Sequence, residues 1–251
     1  KFFQKEVFYM RKSGILAHPT SFPSKYGIGD LGKGAYEFVD FLEKSGQKLW
    51  QILPLGQTSF GDSPYQSFSA FAGNIYIISP DIFVKKGYLS KKDIEIVPEF
   101  DEKNVEYGKV INYKMSLFRT AFKKFKENKE YLDFCDKNAF WLEDYSLFMS
   151  LKNYFIEQRK NTYESAEYKA YYSANEKKVE LNAIKDCFYG GAWNSFPEDI
   201  RDRKPKAVEK YKKMLKSEID FYKFLQYEFF TQWQELKEYA NEKKIEIIGD
   251  I

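Results

Sequence analysis

Apolar positions along this chain change rhythm several times, and each change marks an element. Ile15-Leu16-Ala17 is a short continuous apolar run that breaks at Pro19 and Pro23, the pattern of a strand leaving into a loop. Ala35, Phe38, Val39 and Leu42 then fall at i, i+3, i+4 and i+7, one buried stripe of an amphipathic helix. Gly46 stands where a left-handed helix C-terminus is expected. From Lys48 to Leu55 the residues are largely apolar, as in a parallel strand covered on both faces. Strand, loop, helix and strand make a βαβ unit.

Gly56 to Asn74 follows as a loop rich in Gly, Ser, Pro and aromatic residues. It is longer than βα connections usually are, and such excess length is often functional. From about Asp81 to Lys216 the texture is helical and highly charged. Leu117, Ala121, Phe122 and Phe125 mark one predicted face; Trp141, Tyr145, Phe148, Leu151 and Phe155 mark another. Lys160 to Lys178 is polar without an apolar stripe and reads as a connection. The strongest helical signal comes last, in Ile219, Tyr222, Leu225, Phe229, Trp233, Leu236 and Ala240, with a capping-box start predicted at Ser217-Glu218-Ile219-Asp220. Ile245 to Ile251 predicts a third strand. A parallel strand needs neighbours on both sides and cover on both faces, so the natural protein is expected to continue past Ile251 as a larger α/β fold.

Composition narrows the chemistry. Of 251 residues, 43% are apolar and 31% charged, which fits a folded, water-soluble protein. Lys plus Arg number 40 against 37 Asp plus Glu, and a net charge of +3 gives no case for nucleic-acid or membrane partners. No apolar run approaches the roughly 18 residues that would span a bilayer, and the first residues lack a signal-peptide core; the expected location is cytoplasmic. Cys135 and Cys187 are the only cysteines and His18 the only histidine. A disulfide framework and a multi-histidine metal site are therefore excluded. Chemistry falls to carboxylates, Tyr, Lys or Arg. The 24 Phe, 20 Tyr and 4 Trp suit both cores and sugar platforms, and most are expected to be packing.

Gly27-Ile28-Gly29-Asp30-Leu31-Gly32 fits the G-x-G-x-x-G pattern ahead of a helix. A dinucleotide-binding turn needs its first glycine at the strand end and an acidic residue about 20 positions on. Here the Pro-containing stretch His18 to Tyr26 intervenes and the later region reads Ile52-Leu53-Pro54-Leu55. The glycines are expected to serve a tight loop.

Several ordered blocks resemble one family. They are Ser13 to Ser24, Tyr26 to Gly32, Trp50 to Gly56, Ser63-Pro64-Tyr65-Gln66 and Ser69-Ala70-Phe71-Ala72-Gly73-Asn74. Trp193 to Arg201, Gln226-Tyr227, Gln232-Trp233 and Gly249-Asp250-Ile251 extend the match. Together they are similar to the N-terminal part of the 4-alpha-glucanotransferases, called amylomaltase or disproportionating enzyme. The resemblance implies an α/β fold, the N-terminal part of a (β/α)8 TIM barrel of the alpha-amylase clan, with the first three strands and large, mainly helical insertions. It divides the chain into a barrel start with strands one and two and an active-site loop (1–80), a helical insertion (81–216), and a barrel helix with strand three (217–251).

The implied enzyme is a hexosyltransferase that moves alpha-1,4-glucan segments between maltooligosaccharides or amylose by a retaining double displacement, with no metal or organic cofactor. Its nucleophile, acid/base and stabilising carboxylates are expected beyond Ile251, so no catalytic residue is assigned and the isolated chain is expected to be inactive. Substrate-binding roles carry over to Tyr65 as a stacking ring, to Ser63 and Gln66 as hydroxyl partners, to Asp250 at the end of strand three, and to His18 after strand one. Phe60 and Asp62 are candidates for the same loop. Each has a structural rival: Ser63-Pro64 as a turn, Tyr65 as a loop anchor, Asp250 as a strand-end hydrogen bond, His18 as a loop histidine. The rival functions are a non-catalytic carbohydrate-binding chain and, more distantly, a dinucleotide-binding oxidoreductase.

Overall fold

The computed structural model describes residues 11–58, 62–164 and 193–250. Three short strands, β1 (Gly14–Leu16), β2 (Leu49–Gln51) and β3 (Glu246–Ile248), form a parallel sheet in that order. Ile15, Trp50 and Ile247 share one row of the register, and Leu16, Gln51 and Ile248 the next. The ladder runs on to Ala17, whose N–H donates to the Gln51 carbonyl, and to Ile52, whose N–H donates to that of Ile248, both at 3.0 Å. Strand pairing is shorter than the apolar run Lys48 to Leu55 predicts. Pro54 has no N–H to offer a ladder, and the last ladder bond is made by Ile52.

Helix α1 (Lys33–Lys44) forms as its stripe predicts: Ala35, Val39 and Leu42 are buried. Phe38 packs on Phe22 and Trp50, with ring centroids 4.9 and 5.4 Å apart. Gly46 takes φ 73° at the helix end, where its N–H donates to the Glu43 carbonyl and that of Gln47 to Leu42. Trp50 is fully buried, donates its indole N–H to the Ala17 carbonyl at 2.7 Å, and meets the ring of Trp233 edge-on. Cover on both faces of the sheet was the expectation. Among the described residues only the Trp50 face is covered; on the other, Leu16 is 55% and Ile248 42% exposed.

The chain divides into two compact units, Lys1–Glu127 with Leu225–Ile251, and Asn128–Phe224. The first holds the sheet, α1, α2 (Pro80–Lys85), α3 (Tyr107–Phe122) and the later part of a 27-residue helix, α8 (Lys216–Glu242). In it Lys114 of α3 is completely buried; its ammonium donates to the carbonyls of Tyr76 (2.8 Å) and Ile78 (3.1 Å) and stands 3.7 Å from Asp30. Burial pulls that ammonium down to about 8 and pushes the Asp30 carboxyl up. The second unit holds α4 (Lys129–Lys137), α5 (Ala139–Glu164), α6 (Glu198–Arg201), α7 (Pro205–Met214) and the start of α8. Its core gathers Leu147, Leu151, Phe196, Ile200, Tyr211 and Leu215.

Two expectations change. Residues 160–164 complete α5, while the remainder of the polar stretch to Lys178 lies outside the described residues. The capping box at Ser217 does not form: α8 begins at Lys216, directly after Leu215 closes α7, and the Leu215 carbonyl already accepts the Ile219 N–H at 3.0 Å. No helix among the described residues is long and apolar enough to cross a membrane.

Candidate functional site

The C-terminal edge of the sheet opens into a cleft of about 580 Å³ in the first unit. Pro54 to Gly56 enter it from β2, Asp250 from β3, and Phe229, Phe230 and Trp233 from α8. The remaining wall is the loop after β2, from Pro64 to Gly73.

Local chemistry shapes that loop. Ser63-Pro64-Tyr65-Gln66 is a β-turn with proline at its second position, where a fixed φ is favoured. The Gln66 N–H donates to the Ser63 carbonyl at 3.1 Å, and the Tyr65 N–H to the Ser63 hydroxyl oxygen at 3.3 Å. The turn presents Tyr65 at 59% exposure, and its phenol donates to Asp250 Oδ2 at 2.8 Å. That bond to a carboxylate pushes the phenol above its ordinary pKa. Isolated antiparallel bridges, Gly56 with Gly73 and Thr58 with Ser67, fold the loop back on itself.

Helix α8 fixes the far end of the loop through side-chain amides. Gln226 is fully buried; its Oε1 accepts the Gly73 N–H at 2.8 Å and its Nε2 donates to the Gly73 carbonyl at 3.0 Å. Gln232 accepts the Ser79 N–H at 2.8 Å. Gly73 has to be glycine, because a Cβ there would stand 2.0 Å from the Phe229 ring.

Of the residues nominated from the sequence, Tyr65 and Asp250 meet in the cleft. Ser63, half-buried, supports the turn under Tyr65 and keeps a hydroxyl proton to donate; Gln66 is exposed on the same turn. Neither is part of the cleft's lining. His18 is not either: it is 8% exposed, its Nδ1 has no hydrogen-bond partner among the described residues, and burial pulls the imidazole down to about 4. Asp62 is exposed with φ 53°, and Phe60 lies outside the described residues. Sequence reasoning passed over Phe71, 56% exposed in the cleft, and Phe230 and Trp233. The Trp233 position belongs to the apolar stripe of α8 and was assigned there to the core; it is half-buried, with a part left to the cleft.

The glycine motif does what the loop reading expects. Gly29 lies so close to Pro19 that a Cβ would be 2.0 Å from its carbonyl oxygen. The Gly32 N–H at the start of α1, where a pyrophosphate would bind, donates to Asp30 at 2.8 Å.

A parallel sheet whose C-terminal edge carries an exposed ring hydrogen-bonded to a carboxylate defines an α/β protein with a cleft suited to a polyhydroxylated ligand. Comparison with known proteins is more particular: the family described as 4-alpha-glucanotransferase matches residues 17–251, and the chain belongs to it. It is 48% identical over 237 residues to the 4-alpha-glucanotransferase of Clostridium butyricum, covering 93% of this chain and 42% of that protein. Identity to the Thermus thermophilus 4-alpha-glucanotransferase is 38% over 247 residues, 96% of this chain and 42% of that protein. Among solved structures, amylomaltase from Streptococcus agalactiae in complex with acarbose superposes with a TM-score of 0.79 at 36% identity, over 96% of this chain and 43% of that one. The chain thus spans less than half the length of the relatives it matches.

Proposed function

We propose that this chain supplies the first three strands and one wall of the substrate cleft of a 4-alpha-glucanotransferase, a hexosyltransferase acting on alpha-1,4-glucans. The observation that carries this reading is the Tyr65–Asp250 pair at the C-terminal edge of the parallel sheet, in a chain that belongs to that family. The fold proposed for the whole protein is a (β/α)8 barrel of the alpha-amylase clan. Active sites of such barrels sit at the C-terminal ends of the strands, where this cleft lies. The uncovered row Leu16, Gln51 and Ile248 then faces the barrel interior, which other strands' side chains fill. The domain division proposed from the sequence, 1–80, 81–216 and 217–251, accompanies this reading.

Tyr65 stacks on a sugar ring through its apolar face while Asp250 accepts from a hydroxyl, and Ser63 and Gln66 act from the turn. Transfer proceeds by double displacement: one carboxylate attacks the anomeric carbon as a carboxylic acid protonates the leaving oxygen, and an incoming sugar hydroxyl then resolves the glycosyl-enzyme with that same group as base. These reacting carboxylates are supplied by sequence outside the 251 residues. The test is incubation of the full-length protein with maltotriose, resolving products by chain length. Glucose together with a ladder of longer maltodextrins is the expected result, and none from the 251 residues alone. A full-length protein that makes no ladder sinks the reading.

A further inference from the structure

The second unit carries a small pocket that the cleft does not account for. It has a volume of about 180 Å³, below the size of pockets that hold drug-like molecules and near that of one small ring. Its floor is the apolar core side of α5 and α6, with Leu147, Leu151 and Ile200. One wall is Trp193, displayed at 60% exposure on a single helical turn, Trp193–Ser195, whose next residue, Phe196, is buried and packs at a tilt against Phe155, ring centroids 4.8 Å apart. The rim holds Asp144 and Arg203, joined by a 2.8 Å ion pair.

Arg203 is held at φ 57°, directly after α6, where its N–H donates to the Ile200 carbonyl and that of Lys204 to Asp199. Glycine is the residue such a helix end favours, and arginine takes the left-handed conformation here as Lys244 does at φ 60° after α8. The ion pair with Asp144 contributes little to stability, since both side chains are more than half exposed. Both charged groups are thus within reach of a ligand at the rim.

We propose that Trp193, Asp144 and Arg203 form a second sugar-binding site, separate from the cleft, that takes one ring of a neutral glucan. An exposed indole face stacks on the apolar face of a pyranose, and the carboxylate and guanidinium beside it match neighbouring hydroxyls as acceptor and donor. An anionic ligand fits less well, because each arginine at the rim already faces a carboxylate: Arg203 faces Asp144, and Arg201 faces Asp202 at 2.9 Å. The choice of glucan rests on the function proposed above; the pocket and its lining do not.

The test is migration of the full-length protein in native gels with and without soluble amylose, in a Tyr65→Ala background that weakens the cleft. Trp193→Ala and Arg203→Gly are each expected to weaken retardation by about tenfold in apparent Kd, leaving maltotriose turnover of the otherwise wild-type protein unchanged. Arg203→Gly should also melt no lower than its parent, since glycine relieves the backbone; a purely structural arginine would lower it. Retardation that neither variant changes, or a parent that amylose does not retard, overturns the site. The two readings separate cleanly: a maltotriose ladder with Trp193-independent retardation sinks only this inference, and Trp193-dependent retardation without a ladder sinks only the transferase.

Discussion

Tyr65 and Asp250 are 185 residues apart in the chain, yet one hydrogen bond joins them across the cleft. The phenol therefore has two parts to its role, a ring for stacking and a donor that holds the Asp250 carboxylate in place. Substitution separates them. Tyr65→Phe keeps the ring and is expected to lower kcat/KM on maltotriose by about tenfold, whereas Tyr65→Ala, losing both, lowers it by about a hundredfold. Steady-state kinetics of the full-length protein check this, and the melting temperature should hold because the ring is exposed. The turn that displays Tyr65 was legible from Ser63-Pro64 alone, since proline chemistry is local. His18 was not: its burial depends on what packs over it.

That burial has a consequence for pH. The folded imidazole titrates near 4, below the ordinary 6.5, so between these values the unfolded chain binds a proton that the folded one does not. Stability carried by neutral His18 is present above pH 6.5 and is lost as pH falls toward 4, by an amount on the order of 3 kcal/mol. Urea unfolding at pH 7 and pH 4.5 should show a fall in stability that is smaller in His18→Asn. Equal falls in both proteins would contradict it.

At the scale of elements, α8 does more than pack. Its apolar stripe was plain in the sequence, with Leu225, Phe229, Leu236 and Ala240 buried as the spacing predicts. Gln226 and Gln232 stood out only as a resemblance; their fold role is to satisfy the backbone of Gly73 and Ser79. Gln226→Ala strands two buried groups on Gly73, and urea unfolding should record a loss of about 2–4 kcal/mol together with a raised KM. Lys114 ties α3 to Tyr76, Ile78 and Asp30 in the same manner. Lys114→Met should cost about 3–5 kcal/mol, the usual cost of breaking a buried pair. Adding Asp30→Asn should recover part of that loss in the same unfolding measurement, because the remaining buried charge goes with it. No periodicity signals such a lysine, which sits on the buried side of its helix among apolar neighbours.

The whole molecule is where the open face of the sheet matters. Leu16 is 55% exposed here, and the barrel proposed above would bury it in the full-length protein. Leu16→Asp is then expected to destabilise the full-length protein by more than 2 kcal/mol, the scale of a buried leucine lost and a carboxylate added. The same change in the 251-residue chain should have little effect. Equal melting shifts in the two would count against barrel closure.

What the sequence by itself determined is local: the stripes of α1 and α8, the left-handed stop at Gly46, the turn at Ser63 to Gln66, and three apolar runs in strand positions. Each depends on residues within one or two helical turns, so spacing and turn chemistry reveal it. Its limits were also local, as at Ser217, where the preceding helix ends too late to leave room for a cap. Only the tertiary structure decided that Tyr65 bonds Asp250, that Gln226 holds Gly73, that His18 is buried away from the cleft lining, and that Arg203 faces Asp144 from the turn after α6. Those pairings join distant parts of the chain, and the register of the sheet and the packing of helices on it set which side chains meet.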